Sequence, residues 1–223
     1  MSLGKIISAL FQGLPNTVIL LVASFFFASL LGMLTAWLNL REDPLARGVA
    51  KVYLGLIRGT PPLLMLLLAY YGLPKILEFF GIDSNNWAKL IFGIFGLSVG
   101  WGGYLAEAFR SAYLAVDKGQ LNAAHAVGIP DRIAFRRIIL PQAFLIAIPN
   151  IQNLVIGLMK ATSLVYVIGI SDMYVKASDV SNTKQGVYQL QVFICLALFY
   201  WLIALLVEWF IRDYQKQHKY IHN

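Results

Sequence analysis

The 223-residue chain is 59% hydrophobic and 13% charged, where soluble domains hold about 45–50% apolar and about 25% charged residues. Such a composition cannot cover a water-facing surface, which excludes an ordinary soluble enzyme. Eighteen Lys+Arg against 11 Asp+Glu give a net charge of +7, and in so apolar a chain the placement of those charges matters more than their sum. The single cysteine, Cys195, excludes an internal disulfide and a thiol metal cluster.

Ile6–Leu40 is a run of 35 positions without a charge, longer than the roughly 20 helical residues that cross a bilayer core. It predicts a first span over 15–38. The run is too long for a signal-peptide core and is read as retained. A second uncharged block, Gly59–Pro74, spans if Val52–Ile57 joins it, over 52–73, with Arg58 snorkelling or facing protein. Pro61-Pro62 removes two backbone donors and should bend or restart this helix; Arg58 and Thr60 at that break are expected to stabilise the cytoplasmic end rather than touch substrate. Spans over 89–113, 142–170 and 186–211 follow. The chain thus reads as an all-α membrane protein of five spans, a single domain over 1–212 with a short tail, 213–223.

An odd number of spans puts the termini on opposite sides. The segments after span one, between spans three and four, and after span five hold 12 of the 18 basic residues. The positive-inside bias therefore predicts an N-terminus outside and a C-terminus in the cytoplasm. His218 and His222 are too sparse to argue for a metal site, and none is expected.

Between spans three and four lies the one sizeable non-spanning stretch, 114–141. Lys118–Gly128 reads as a short helix closed by glycine, since Ala and Leu favour helix and Gly caps its C-terminus. Ile129-Pro130-Asp131 turns the chain, and Arg132–Leu140 begins another helix with Pro141 near its end. This helix–turn–helix is either an amphipathic loop or a docking knob for a soluble partner.

The ionisable and polar groups inside the spans each carry two readings, because a charge costs about 2.5–3.5 kcal/mol at a helix centre. Lys160 either snorkels or pairs with Glu107, or it meets a substrate carboxylate. Glu107 and Arg110, three apart on one helix, can pair with each other. Tyr104 stands one turn from Glu107, and Asn150 and Asn153 share a face of span four, as interhelical glue or as a pathway lining. Thr162 and Ser163 can bond a zwitterion or satisfy backbone at a helix break. No G-x-x-x-x-G-K-[ST] phosphate loop occurs, so any ATP-driven motion must come from another chain.

Ala123-Ala124, three residues, Gly128, nine residues, then Ile138-x-Leu140-Pro141 resembles the EAA loop of permease subunits of ATP-binding-cassette importers. Asn122 stands where that family usually has glutamate, and Asp117-Lys118-Gly119-Gln120 resembles the lead-in to the loop. Arg58-Gly59-Thr60-Pro61-Pro62, Tyr70-Tyr71-Gly72-Leu73-Pro74, Tyr104-Leu105-Ala106-Glu107 and Lys160-Ala161-Thr162-Ser163-Leu164 are similar to motifs of the polar amino-acid branch. Ala161 replaces an aspartate of the last one.

The resemblance covers about residues 13–211 and implies a type I importer permease fold in the bacterial cytoplasmic membrane. It further implies a second permease copy or a related permease, a cytoplasmic ATPase and an extracytoplasmic solute-binding protein. The chain itself would be no enzyme, with no catalytic residue and no bound cofactor, ATP and Mg belonging to the partner. Gln120, Asn122, Ala123, Ala124, Gly128, Leu140 and Pro141 are then expected to couple to the ATPase. Tyr104, Glu107, Asn153, Lys160, Thr162 and Ser163 are expected to line the substrate pathway. Loss of the aspartate at Ala161 argues for a neutral polar cargo, with cystine or glutamine leading. The alternative is a secondary transporter or channel.

Overall fold

A computed structural model describes residues 3–183 and 185–218, with side chains described as far as Gln215. Lys184, Lys219, His222 and the side chains of Lys216 and His218, used in the charge and metal readings above, lie outside the described residues, as does the predicted tail beyond residue 218. Among the described residues every regular element is helical. They are α1 (Leu3–Leu40), α2 (Pro44–Gly59), α3 (Pro62–Phe79), α4 (Lys89–Leu114), α5 (Lys118–Ala126), α6 (Asp131–Ala134), α7 (Leu140–Ala161), α8 (Met173–Asn182) and α9 (Gln189–His218). A π-helical turn, Phe135–Ile139, joins α6 to α7, and a 3-10 segment, Thr162–Ile168, continues α7. Five helical stretches are long and apolar enough to cross a membrane.

Three expectations need correction. The 52–73 span is two helices, because Pro61 and Pro62 lack the donors that would tie them to the preceding turn; Thr60 is extended at φ −111° and closes α2. The 15–38 span starts at Leu3, because Ile6, Ala9, Leu10, Gly13 and Thr17 form one buried face with helical spacing that α8 covers. Pro141 ends nothing. The helical path runs from Asp131 to Ile168, the π turn just before the proline opening the ladder where it would clash. Helix α8 was not foreseen.

Helix α4 is the axis on which the rest is hung. Helix α1 runs beside it in the same direction, with Ser98 Oγ donating to Ser24 O at 3.3 Å. Their approach requires glycine: a Cβ on Gly32 would lie 2.9 Å from Leu105 Cβ and 3.1 Å from the Ala106 backbone nitrogen. Apolar helices gain little from burying surface against one another in lipid, so such close backbone approach is what holds them together. Helix α3 runs antiparallel to α4, with Leu66 and Ala69 against Gly96. Helix α7 is also antiparallel: Trp101 Nε1 donates to Leu154 O at 3.0 Å, and Ile170, beyond the 3-10 segment, reaches Gly93. The shared core is Leu20, Ala28, Leu66, Leu97, Leu105 and Leu158 with their neighbours.

Helix α8 is pinned at its start to the first half of α1. Asn16 Nδ2 donates to Ser171 O at 2.8 Å, and the Met173 amide donates to Thr17 Oγ1 at 3.2 Å. Gly13 is a bare spot for this contact, since a Cβ there would lie 2.5 Å from Asp172 O. Asp172 caps α8, its Oδ1 accepting from the Val175 amide at 2.9 Å. The residue is fully buried and its Oδ2 has no hydrogen-bond partner among the described residues. Burial pushes this carboxyl up to about 6, so ionising it costs the folded state free energy.

That cost is absent below pH ~4, where an unfolded aspartate is also protonated. It grows as pH rises from there and is complete above about pH 6. Asp172→Asn keeps the capping oxygen and removes the charge. Its thermal midpoint in detergent should exceed that of the parent at pH 8 and match it at pH 4; a lower midpoint at pH 8 would mean the carboxylate is stabilising.

Candidate functional site

Helix α5 begins at Asp117, whose side chain accepts from the Gly119 amide at 2.9 Å. It ends where Gly128 adopts φ +75°, with Ile129 N donating to Ala124 O at 2.9 Å. Any side chain is strained at that φ, so glycine is required there. Across the turn the His125 ring meets Asp131. A small apolar seat of Val116, Ile139 and Ala143, with Leu121 packed on it, fixes α5 against the ends of α4 and α7. The two alanines differ: Ala124 is buried in the chain itself, while Ala123 is exposed with Gln120, Asn122 and Gly128. Leu140 and Pro141, between Ile139 and Ala143 of the seat, are exposed on its outer side. The outward surface of α5 is therefore made mostly of small and uncharged residues, with Lys118 at its start, and is uncovered.

The second group of residues lies along a groove. On α4, α2 meets Gly103 through Ile57 and Val99 through the Tyr53 hydroxyl, which donates to Val99 O at 2.7 Å. Trp101, on the other flank, meets α7. Between these flanks Tyr104 and Glu107 are half-exposed. Tyr104 packs edge-on against Trp101, with ring centroids 6.0 Å apart. It also lines a cleft with Thr60, Pro62, Met65 and Gly100, so the break between α2 and α3 opens onto this strip.

Helix α7 borders the strip with Asn150, Asn153 and Lys160, all exposed. At ~100° per residue they share one edge of that helix. The edge is on the Tyr104 side of α4, because the Trp101 indole lies against Gly157, which is on the same edge. An exposed row of two amides and an ammonium on an apolar helix is not a surface for lipid tails.

Lys160 differs from three carboxylates of the spanning helices, which are paired within their own helix. Glu78 pairs with Lys75 at 3.3 Å, Glu107 with Arg110 through two contacts at 2.6 and 2.9 Å, and Glu208 with Arg212 at 2.5 Å. Lys160 has no such partner among the described residues, and the Glu107 alternative fails on register. Each lies six residues from the Trp101–Leu154 hydrogen bond, in opposite directions, which puts them about 18 Å apart along the helix axes.

Thr162 is fully buried and donates to Met159 O at 2.7 Å; Ser163 donates to Lys160 O at 2.7 Å. Both hydroxyls bond backbone at the change from α to 3-10 geometry; Thr162 is turned inward, away from the groove, while Ser163 stays half-exposed. Ala161 is buried among Leu158, Val165 and Trp101, turned away from Lys160. Thr60 and Met65, which line the cleft, were not singled out as lining groups; their signal is the Pro-Pro break itself, since interrupted helices expose backbone and side chains to cavities.

A family model described as "Binding-protein-dependent transport system inner membrane component" matches residues 28–216. The L-cystine transport system permease protein TcyL of Bacillus subtilis is 34% identical over 217 residues, which cover 97% of this chain and 90% of that protein. The histidine/lysine/arginine/ornithine transport system permease protein HisQ of Salmonella typhimurium is 35% identical over 175 residues, 77% of this chain and 76% of that protein. A solved amino acid ABC transporter with histidines superposes with a TM-score of 0.81 at 28% identity, covering 94% of each chain. The MetNI methionine ABC transporter, inward facing, shares the fold alone, with a TM-score of 0.71 at 18% identity over 96% of this chain and 99% of that one. The chain belongs to the binding-protein-dependent transport system inner membrane component family, with the type I importer permease fold.

If water fills the groove, exposure on α7 should translate into reactivity. In a Cys195→Ser background, cysteines at positions 153 and 160 are expected to react with a membrane-impermeant thiol reagent roughly tenfold faster than cysteines at buried positions 158 and 161. Equally slow reaction everywhere would place lipid or protein, and not water, against the row.

Proposed function

We propose, from membership of this family, that the chain forms one half of an amino-acid path through the bacterial cytoplasmic membrane and that ATP hydrolysis on a separate chain drives it. The observation that carries this reading is the unpaired Lys160 in an exposed polar row of a membrane helix. Such a row costs too much against lipid and needs a facing surface, which a second permease copy or a related permease supplies. The α5 end is the cytoplasmic end, in keeping with the Lys/Arg bias, which leaves the N-terminus outside. The uncovered face of α5, with Gln120, Asn122, Ala123 and Gly128, is the seat of the ATPase. Leu140 and Pro141 edge that seat, and Ala124 anchors it from within. An extracytoplasmic binding protein delivers cargo to the other end.

The cargo is a neutral polar amino acid, with cystine favoured over glutamine. A basic side chain would need a carboxylate to meet, and Glu107 is already engaged by Arg110. Lys160 suits the carboxylate that every amino acid carries, with Tyr104 and Asn153 as uncharged lining. The name of the Bacillus subtilis relative, which aligns over nearly the whole chain, supports cystine. The burial of Ala161 removes the argument from its missing aspartate. Thr162 and Ser163 act in this reading as backbone braces that set Lys160 in place.

Proteoliposomes holding the permease with its ATPase and a loaded binding protein test the whole reading. Uptake of labelled cystine should require ATP and be competed poorly by lysine or arginine. Uptake driven by a proton or sodium gradient with no ATPase present would overturn it in favour of a secondary transporter.

Two variants test the parts. Gly128→Asp forces a side chain into positive φ at the end of α5. It should cut ATP-driven uptake by roughly tenfold or more, given a strain on the order of 1–3 kcal/mol at the docking turn, while the amount inserted in the membrane stays normal. Lys160→Ala should lower uptake several-fold with ATPase co-purification intact; unchanged uptake kinetics would remove Lys160 from the path.

A further inference from the structure

The joint between α5 and α6 is open in the backbone. Gly128 N donates to His125 O and Ile129 N to Ala124 O, each at 2.9 Å, so the turn is bonded back onto α5. Beyond it, Ile133 N and Ala134 N donate to Pro130 O at 2.9 and 3.0 Å, which ties Pro130 forward onto α6. Pro130 has no N–H to donate back into α5. Among the described residues, therefore, no backbone hydrogen bond crosses the Ile129–Pro130 link.

One side-chain contact does cross it, between His125 and Asp131. An ionised carboxylate can only accept, so His125 Nε2 donates to Asp131 Oδ1, and it can do so whether or not the ring carries a second proton. His125 lies in the last turn of α5, and Asp131 is the first residue of α6. Helix dipoles favour a donor at the first of these ends and a carboxylate at the second.

Helical spacing shows what the contact adds. Leu121 and His125 are four residues apart, on one side of α5 at ~100° per residue, with the buried Ala124 beside them. Leu121 packs on the seat of Val116, Ile139 and Ala143. His125 holds the helix about 6 Å further along its axis. A single attachment lets a short helix swing about it; two fix its direction. The two side chains of the contact are 47% and 86% exposed, where water competes, so the pair adds little to the stability of the fold. What it governs is the angle of the joint.

We infer that His125 and Asp131 form a clasp that sets the angle of α5 against the α6–α7 path, and that coupling of the ATPase to α7 depends on that angle. Both are positioning residues. The uncovered face with Asn122 and Ala123 would meet the partner, while the clasp holds that face in its direction. Neither residue belongs to the Ala–Gly–Pro spacing of the loop, so nothing in that spacing supplies this contact. The inference rests on α5 being the seat of the ATPase, but the joint can be tested without transport.

The test has two readouts. In the Cys195→Ser chain in detergent, spin labels on cysteines at positions 123 and 136, both exposed, report the distance across the joint. His125→Ala and Asp131→Ala should each broaden the distance distribution. His125→Gln, whose amide donates at a similar reach, should leave it narrow. In proteoliposomes with the ATPase and a loaded binding protein, the two alanine variants should lower uptake per ATP hydrolysed by roughly two- to fivefold, the range over which an exposed pair can shift an equilibrium. The double variant should be no worse than either single one, and His125→Gln should keep the parent ratio. A distribution unmoved by both alanine variants overturns the clasp. A broadened distribution with parental uptake per ATP, or single effects that add, overturns its role in coupling. Broadening together with uptake that needs no ATP would instead overturn the importer reading and leave the joint in place.

Discussion

An ionised group inside a membrane must be paired, snorkel to the surface or be given water, and the arrangement of this chain follows from how each charge meets that demand. Three carboxylates on spanning helices, Glu78, Glu107 and Glu208, meet it locally, each bound to a basic residue three or four positions away. These pairs form as the helix forms and need nothing from the rest of the fold. Lys160, Lys51 and Arg58 have no such neighbour. Lys160 lies on the edge of α7 that borders the exposed strip of α4, beside Asn150 and Asn153.

The two flanks of α4 show why the groove stays open. Towards α1, small residues let backbones close to contact: Gly32 of α1 meets Gly102, Leu105 and Ala106 with no room for a Cβ. On the other side Tyr104 and Glu107 hold neighbours at a distance, and the helix that would fill the gap is interrupted at Pro61-Pro62. One flank is shaped for adhesion and the other for access. Both sets of residues alternate along the same 26-residue helix, so moving one set displaces the other.

Much of this was legible from residue order because it depends on local chemistry. The uncharged runs located the spans, the Ala–Gly–Pro spacing located α5, and Glu107 with Arg110 at three residues announced their own pair. What escaped was set by contacts distant in sequence. Helix α8 has a mixed composition and is held by Asn16 and Thr17, roughly 155 positions away. The inward turn of Thr162 and Ala161 depends on the 3-10 winding that follows them, which no residue pattern signals. Pro141 looked like a stop because a proline ends an isolated helix; the π turn ahead of it removes the clash only in the folded chain.

The fourth span joins the α5 turn and the polar row of α7 in one helical path. From Asp131 to Ile168 the helical path is unbroken, but it departs from α geometry at both ends, by a π turn next to α5 and by a seven-residue 3-10 segment beyond Lys160. Runs of 3-10 helix this long are uncommon and mark strain or a hinge. Between them α7 contains Pro149, which lacks a ladder donor, carries the Asn150–Asn153–Lys160 row, and is bonded to α4 through Trp101. The apolar seat of Val116, Ile139 and Ala143 ties α5 to the π-turn end of this path. The departures from α geometry thus fall on the helix that bears the exposed lysine, while the α1–α4 contact, with no room for a Cβ at Gly32, has no slack.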